Sequence, residues 1–436
     1  MNRLEIDNHL SEEYRLNKKK ELVMHEKDPL FQPMKIGTRT SSNRFAINAM
    51  ECCDSDENGN PGPKTYRRYA NHFEGGCGVI VLEAITIGYE SRGRLNQLSI
   101  MPHNQKPLEK FTAEMKSINK EALFLWQLTH SGEISHPDFS KRVTVKPLPG
   151  FGGELLQEDD IKKIQDQFVL SAKIAHDAGA DGIDFKVCHG YLGSQLTRPY
   201  NDRKWKYGGS FENRTRFVYE CYEQIMKEIN DPDFIVGSKV SIWEGFPGGQ
   251  GSAGPDSPIM DISESLELCK GLEARGAKFI IVSAGSPSIT LALSQPDRNI
   301  PRDVYTHFTF QKAVNDVVKP ETAVIGSAYS VLNNGNNKLV TRKKEENTLL
   351  YWGNRNVREG VCDMIAIGRQ SLADSHILRK LLEGREEEIK WCTACDNCIE
   401  FLIRQQNVGC ATRDKEYTLA LKAIRDAEGA LKAKRT

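Results

Sequence analysis

Four cysteines near the C-terminus carry the sharpest chemical signal in the sequence. Trp391-Cys392-Thr393-Ala394-Cys395-Asp396-Asn397-Cys398, followed by Cys410, spells C-x2-C-x2-C-x11-C. Thiolates at that pitch can wrap three corners of an iron-sulfur cubane, and a fourth from a nearby loop closes it. Zinc is the rival ligand, but structural zinc sites take two ligands from one knuckle and two from another, so three in one compact run suit it less well. Spacing alone favours iron-sulfur and leaves zinc open. The remaining cysteines (Cys52, Cys53, Cys77, Cys188, Cys221, Cys269, Cys362) are scattered. In a reducing compartment, one cluster among scattered thiols argues for a metal site rather than disulfides.

Such a site needs a scaffold. From about residue 43 a unit recurs: a short apolar run, a turn, then a charged amphipathic helix. The runs are Phe45–Ala49, Gly78–Leu82, Leu123–Gln127, Gly182–Val187, Ile235–Ser241, Lys278–Val282, Ala323–Ile325 and Met364–Ile367. Helical periodicity lies between them, as in Asp160–Ala178 and Phe211–Ile229. Gly179 and Gly276 stand where a helix must stop before a strand starts. Alternating strands and helices imply parallel strands with crossover helices, and eight such strands close a barrel. A doubly wound sheet shares the unit, yet no G-x-G-x-x-G follows the first strand as a dinucleotide-binding sheet would usually show. The expected fold is an α/β (β/α)8 TIM barrel over 31–390, after a polar extension at 1–30. A cysteine-rich iron-sulfur loop at 391–412 and an exposed, charged helical tail at 413–436 complete it. The polar stretch Asn333–Asn347 reads as a solvated insertion.

Lys and Arg number 59 and Asp and Glu number 59, so no global field draws the chain to nucleic acid or an anionic membrane. No apolar run approaches the roughly 20 residues that span a bilayer, and the segment Met1–Asp7 is too acidic and broken for a signal peptide. A cytoplasmic homo-oligomer acting on a small molecule, with no nucleic-acid or membrane partner, is expected.

Longer segments resemble one family. Asp28-Pro-Leu-Phe-Gln-Pro-Met-Lys-Ile-Gly37 with Ser42-Asn43-Arg44-Phe45 is similar to the opening of the Old Yellow Enzyme barrels, which are NADH:flavin oxidoreductases. His189-Gly190-Tyr191-Leu192 and the run from Tyr207-Gly208-Gly209-Ser210 to Phe217 are the most specific matches. The cysteine run narrows the resemblance to the iron-sulfur branch that includes trimethylamine dehydrogenase and bacterial 2,4-dienoyl-CoA reductase. It covers about residues 28–412. Members of that branch usually continue into a nucleotide-binding region, whereas this sequence stops about 25 residues after Cys410, as a short member or a truncated one.

The resemblance implies non-covalent FMN and a [4Fe-4S] cluster on Cys392, Cys395, Cys398 and Cys410. Ala49, Met50, Ala84 and Gln127 match positions that meet the isoalloxazine. Glu51 stands where relatives carry cysteine or threonine, in trimethylamine dehydrogenase a cysteine bonded to FMN; a carboxylate cannot form that link, so the FMN should dissociate. Lys239 replaces an arginine beside the flavin N1, keeping the charge without the planar fork. Gly326-Ser327 and Gly368-Arg369 match the phosphate cradle, at the place where barrels commonly hold phosphate. In Lys186-Val187-Cys188-His189-Gly190-Tyr191, positions 186 and 189 match the pair that holds the substrate oxygen, and Tyr191 matches the proton donor. Ordinary packing is the alternative for His189 and Tyr191, with the functional reading preferred, and Cys188 reads as a small core residue.

The leading expectation is an ene-reductase acting on an enone, enoyl thioester or steroid-like substrate by hydride from flavin N5. Electrons would come through the cluster, from NAD(P)H, or from a ferredoxin, flavodoxin or separate reductase. An amine dehydrogenase is the alternative, which the Lys186 charge disfavours. A non-catalytic electron-transfer subunit is the third.

Overall fold

The computed structural model describes residues 27–297, 301–332 and 348–433. The expected insertion at 333–347 and most of the N-terminal extension lie outside the described residues. Eight parallel strands close into a barrel: β1 (Phe45–Ile47), β2 (Val79–Thr86), β3 (Leu123–Thr129), β4 (Gly182–Phe185), β5 (Ile235–Ser241), β6 (Phe279–Ser283), β7 (Ala323–Gly326) and β8 (Met364–Ile367). Neighbours follow chain order, and β8 closes on β1 with Ile365 opposite Phe45 and Ile367 opposite Ile47. Seven crossover helices link them: α1 (Pro63–Glu74), α2 (Gln105–Ile118), α3 (Glu158–Asp177), α4 (Phe211–Ile229), α5 (Ser263–Ala274), α6 (Pro301–Asn315) and α7 (Leu349–Arg358). The doubly wound alternative is excluded by closure.

The strands read as continuous apolar runs because both faces are buried, one in the bore and one beneath the helices. Ala46, Val79, Val81, Leu123, Leu125, Ile235, Phe279, Ile281, Ile325 and Ala366 pack together in the bore. Their in-between neighbours Phe45, Ile47, Ile80, Leu82, Phe124 and Trp126 pack outward against the helix layer. A short hairpin, Met34–Ile36 with Arg39–Ser41, precedes β1 and adds the buried Ile36 to the bore cluster.

Beyond β8 lie α8 (Asn397–Ile403) and α9 (Lys415–Ala433). The sequence suggested an exposed tail, but one side of α9 is docked. Tyr417 and Leu421, four residues apart and so on one face, are buried in a cluster with Phe401, Cys52 and Cys53. Lys64 and Arg67 of α1 add ion pairs to Glu416 at 2.9 and 2.7 Å. Among the described residues no helix is long and apolar enough to cross a membrane.

Candidate active site

The alternation that fills the bore also builds the site. Residues on the bore face of β3 run Leu123, Leu125, Gln127; those of β5 run Ile235, Gly237, Lys239. Continuing by twos past the strand ends gives Asn48 after β1, Lys186 after β4, Ser327 after β7 and Gly368 after β8. Apolar side chains thus fill the bottom of the barrel and polar ones the C-terminal end, where barrel enzymes carry their chemistry. There the polar groups line a cavity of about 560 Å3.

Eleven of the thirteen barrel positions picked from the sequence face this cavity. Lys186, His189 and Tyr191 line it together with Glu51, Gln127 and Lys239. Ala49, Met50, Ser327, Gly368 and Arg369 complete that set. Ala84 and Gly326 are not among the lining residues. The Ala84 carbonyl accepts from Gln97 Nε2 at 2.8 Å, and a Cβ on Gly326 would collide with the Gln311 amide, 2.3 Å away. Close packing accounts for that glycine.

Glu51 is the hub. Its Oε1 accepts from the Tyr191 hydroxyl at 2.6 Å and from Lys186 Nζ at 3.0 Å, and its Oε2 accepts from Arg94 Nε at 3.2 Å. Burial would raise the carboxyl, but Lys186, Arg94 and the Tyr191 hydrogen bond outweigh it and hold it down at about 2. Burial pushes the Tyr191 phenol well up, and the Glu51 charge adds to that. The Lys186 ammonium sits 3.3 Å from the centroid of the Tyr191 ring. The Lys186 charge, which the sequence sets against an amine substrate, has a counter-ion here in Glu51. The paired lysine follows directly on β4 and the carboxylate comes from the loop after β1, an encounter that only barrel closure produces.

His189 adopts a left-handed backbone with φ of 61°, followed by Gly190 at 79°. A non-glycine residue there is strained and marks a site that its surroundings hold in place. The His189 N–H donates to Ser241 Oγ at 3.1 Å, and its Nε2 lies 2.8 Å from Ser283 Oγ. Burial, then the Lys239 and Lys186 charges, keep the imidazole neutral by lowering its pKa well below the ordinary value.

Gln127 Nε2 donates to Asp184 Oδ2 at 2.5 Å, which leaves Oε1 as the amide's remaining acceptor. Lys239 Nζ donates to Asn48 Oδ1 at 3.2 Å, and burial lowers its pKa. Arg369 is paired with Asp396 at 2.7 Å and donates to the Pro296 carbonyl at 2.5 Å. Two buried atoms of cavity-lining residues, Gln295 Oε1 and His307 Nδ1, have no hydrogen-bond partner among the described residues. His307 Nε2 reaches the Leu293 carbonyl at 2.9 Å and must carry the ring proton, so Nδ1 is a bare acceptor. Arg94, Asp184, Asn48, Ser283 and His307 were not singled out from the sequence. Counting by twos along β1, β4 and β6 would have found Asn48, Asp184 and Ser283. Arg94 lies in an irregular loop with no such signal.

Beside the main cavity, Cys392, Cys395, Cys398 and Cys410 line a second, smaller one, which shares Arg369 and Cys398 with it. The Ala394 N–H points to Cys392 Sγ at 3.4 Å, and the Thr412 hydroxyl lies 3.3 Å from Cys395 Sγ. Among the described residues no three His, Cys, Asp or Glu side chains are drawn close enough to hold a metal ion.

Comparison with known proteins gives a consistent neighbourhood. Residues 29–340 match the model of the NADH:flavin oxidoreductase / NADH oxidase family. The chain is 28% identical over 381 residues to an NADH oxidase of Thermoanaerobacter brockii, covering 85% of this chain and 53% of the relative. It is 27% identical over 421 residues to a cinnamate reductase of Clostridium sporogenes, covering 89% and 59%. An N,N-dimethylglycine/sarcosine dehydrogenase of Chromohalobacter salexigens is 25% identical over 416 residues, covering 89% and 54%. The chain therefore spans just over half the length of these relatives.

Proposed function

Since the chain belongs to the NADH:flavin oxidoreductase / NADH oxidase family, we propose that it is an FMN-dependent ene-reductase that also holds a [4Fe-4S] cluster. The observation that carries this reading is the lining of the cavity. It holds five cations, Arg94, Arg142, Lys186, Lys239 and Arg369, against two carboxylates, Glu51 and Glu133, and its only Phe, Tyr or Trp side chains among the described residues are Phe151 and Tyr191. An amine cation would meet repulsion and no aromatic bowl; an electron-poor or acidic alkene would meet donors.

The donor set fits FMN. Lys239 and Gln127 Oε1 would face the flavin's pyrimidine edge, Ala49 and Met50 would lie along the ring, and Ser327, Gly368 and Arg369 would hold the phosphate. The bare acceptors Gln295 Oε1 and His307 Nδ1 suit the ribityl hydroxyls. Ala84 and Gly326 would shape the site from outside the cavity lining. The bound flavin would supply a hydride. His189, neutral and pinned at Ser241 and Ser283, would hold the substrate carbonyl oxygen together with Lys186, and donors aimed at an oxygen that gains charge lower the barrier. Tyr191 would give its proton to the α-carbon, with Lys186 and Arg94 offsetting the charge left beside Glu51. Four thiols lining one cavity, with an N–H and a hydroxyl turned toward them, fit a cubane cluster. Electrons would arrive from NAD(P)H or from a separate donor protein. Anaerobic mixing tests the reading: dithionite-reduced, FMN-loaded protein should be reoxidised by an activated alkene. Bleaching of the oxidised flavin by an alkylamine, with silence toward every alkene, would overturn it.

A further inference from the structure

Asp184 is a carboxylate with no access to solvent, on the bore face of β4 and opposite Gln127 in the strand register. It does not line the cavity, but the two residues from which it accepts hydrogen bonds do. Its Oδ2 accepts from Gln127 Nε2 on β3 at 2.5 Å, and its Oδ1 accepts from the Lys239 N–H on β5 at 2.6 Å. Burying a carboxylate is costly unless charge and hydrogen bonds offset it. An apolar side chain would fill that place, as Leu125 and Ile281 do elsewhere in the bore, so packing gives no reason for the acid.

Hydrogen-bond chemistry gives one. Burial raises the Asp184 pKa, while the Gln127 hydrogen bond, the Lys239 charge and N–H, and the Lys186 charge favour its ionised form. An ionised carboxylate accepts and cannot donate, so Gln127 can meet it only with its NH2 group. An amide can otherwise turn either way. Here its partner decides, and the oxygen is the end left for the cavity. Asn48 is oriented in the same manner: its Oδ1 accepts from Lys239 Nζ at 3.2 Å, and its Nδ2 donates to Ser327 Oγ at 3.3 Å. Lys239 is thereby tied at both ends, its backbone to Asp184 and its ammonium to Asn48. The bore ends in an acceptor on β3 and a cation on β5, with Asp184 on the strand between them.

We propose that Asp184 is a positioning residue for the flavin: by taking the NH2 group of Gln127 it keeps Oε1 as the acceptor for the N3–H of the pyrimidine ring. This rests on the FMN part of the proposed function and is independent of which alkene is reduced. The pyrimidine edge carries an N–H between two carbonyls. An acceptor together with a cation matches that pattern, whereas a Gln127 turned the other way would set its NH2 group against the N–H and leave both donors unpaired.

Asp184→Asn tests the proposal, since it keeps an oxygen for the Lys239 N–H but offers Gln127 an NH2 group, so that Gln127 turns its own NH2 toward the cavity. The readout is spectroscopic: protein reconstituted with FMN carrying heavy nitrogen at N3, observed by NMR. In the wild type the N3–H should be protected from exchange with water. In Asp184→Asn its resonance should return to the position of free flavin or vanish through exchange. Affinity for FMN should fall about five- to fiftyfold, as when a buried hydrogen bond is lost and a donor is left facing a donor. Gln127→Ala should cost a similar factor, and adding Asp184→Asn to it should cost little more, because Asp184 acts through Gln127. An N3–H unchanged in Asp184→Asn, or losses that multiply in the double variant, overturn the proposal. Should Asp184→Asn fail to fold, the wild type and Gln127→Ala still decide: protection must be present in the first and absent in the second. If FMN binds with its N3–H unprotected, the positioning role fails and the cofactor reading stands. If the wild type takes up no FMN, the cofactor reading fails and the proposal with it.

Discussion

The barrel cavity and the cysteine segment lie side by side beyond the C-terminal ends of the strands, yet they are held together in opposite ways. In the cavity the working side chains bond to one another: Glu51 to three partners, Gln127 to Asp184, Lys239 to Asn48. The cysteine segment is held mainly through its backbone. Val408 N–H donates to the Cys52 carbonyl at 2.8 Å, Cys392 N–H to Gln370 Oε1 at 2.8 Å, and Arg413 Nε to the Trp391 carbonyl at 3.1 Å. The cavity is therefore organised by side chains that bond one another, whereas the four thiols share one hollow without bonding each other.

The strongest way to break that comparison is to remove one thiol. Cys395→Ser should abolish the cluster, taking iron from about four per chain to near zero and acid-labile sulfide with it. The FMN should remain, because the residues proposed to hold it stand on strands and loops bonded to each other. Loss of flavin along with iron would show that the two regions are one unit. A single zinc without sulfide in the wild-type protein would overturn the cluster assignment.

Within the cavity, His189→Ala removes a donor that the backbone strain and Ser241 hold in place, and turnover should fall on the order of 100-fold. Tyr191→Phe should separate the steps: flavin reoxidation should persist in stopped flow while protonated product forms slowly. If both phases are unchanged in both variants with a verified substrate, the reacting position is not at the end of β4. Acid or heat denaturation should also release all of the FMN, since Glu51 offers no thioether; flavin retained in the precipitate would contradict this.

What the sequence disclosed follows the same divide. The barrel was legible because eight apolar runs and intervening helical periods repeat a single local unit, and closure follows from the count. Most cavity positions were legible through the resemblance to the family's motifs; a period of two that carries inward-facing residues past the ends of strands accounts in physical terms for Gln127, Lys186, Lys239, Ser327 and Gly368 among them. Pairings across the barrel were not. Nothing local to Glu51 says that Lys186, 135 residues later, becomes its partner, and Arg94 sits in a loop without periodicity. The docking of α9 was missed for a related reason: Tyr417 and Leu421 are few among many charges, and their partners Cys52 and Cys53 lie at the other end of the chain.

The smallest effect sharpens the claim that the cavity is pre-paired in the absence of ligand. Glu51 is held at about 2 in the folded protein against an ordinary 4.5. A carboxyl whose pKa is depressed by folding contributes stability that is fully present above the unfolded value and is lost as pH falls through the folded one. The window for Glu51 therefore runs from about 4.5 down to about 2. At the upper edge half of the unfolded carboxyls are protonated, which removes about 0.4 kcal/mol relative to neutral pH. That corresponds to a fall in Tm of about 0.5 °C for a chain of 436 residues. Other carboxylates titrate over the same range, so the measurement is a difference: Tm of wild type minus Tm of Glu51→Gln, followed from pH 7 toward pH 4. The gap should narrow as pH falls, since only the wild type has this group to protonate. A constant gap would mean that Lys186 and Arg94 do not hold Glu51 ionised in the ligand-free protein, and that the donors of the cavity are arranged only when substrate arrives.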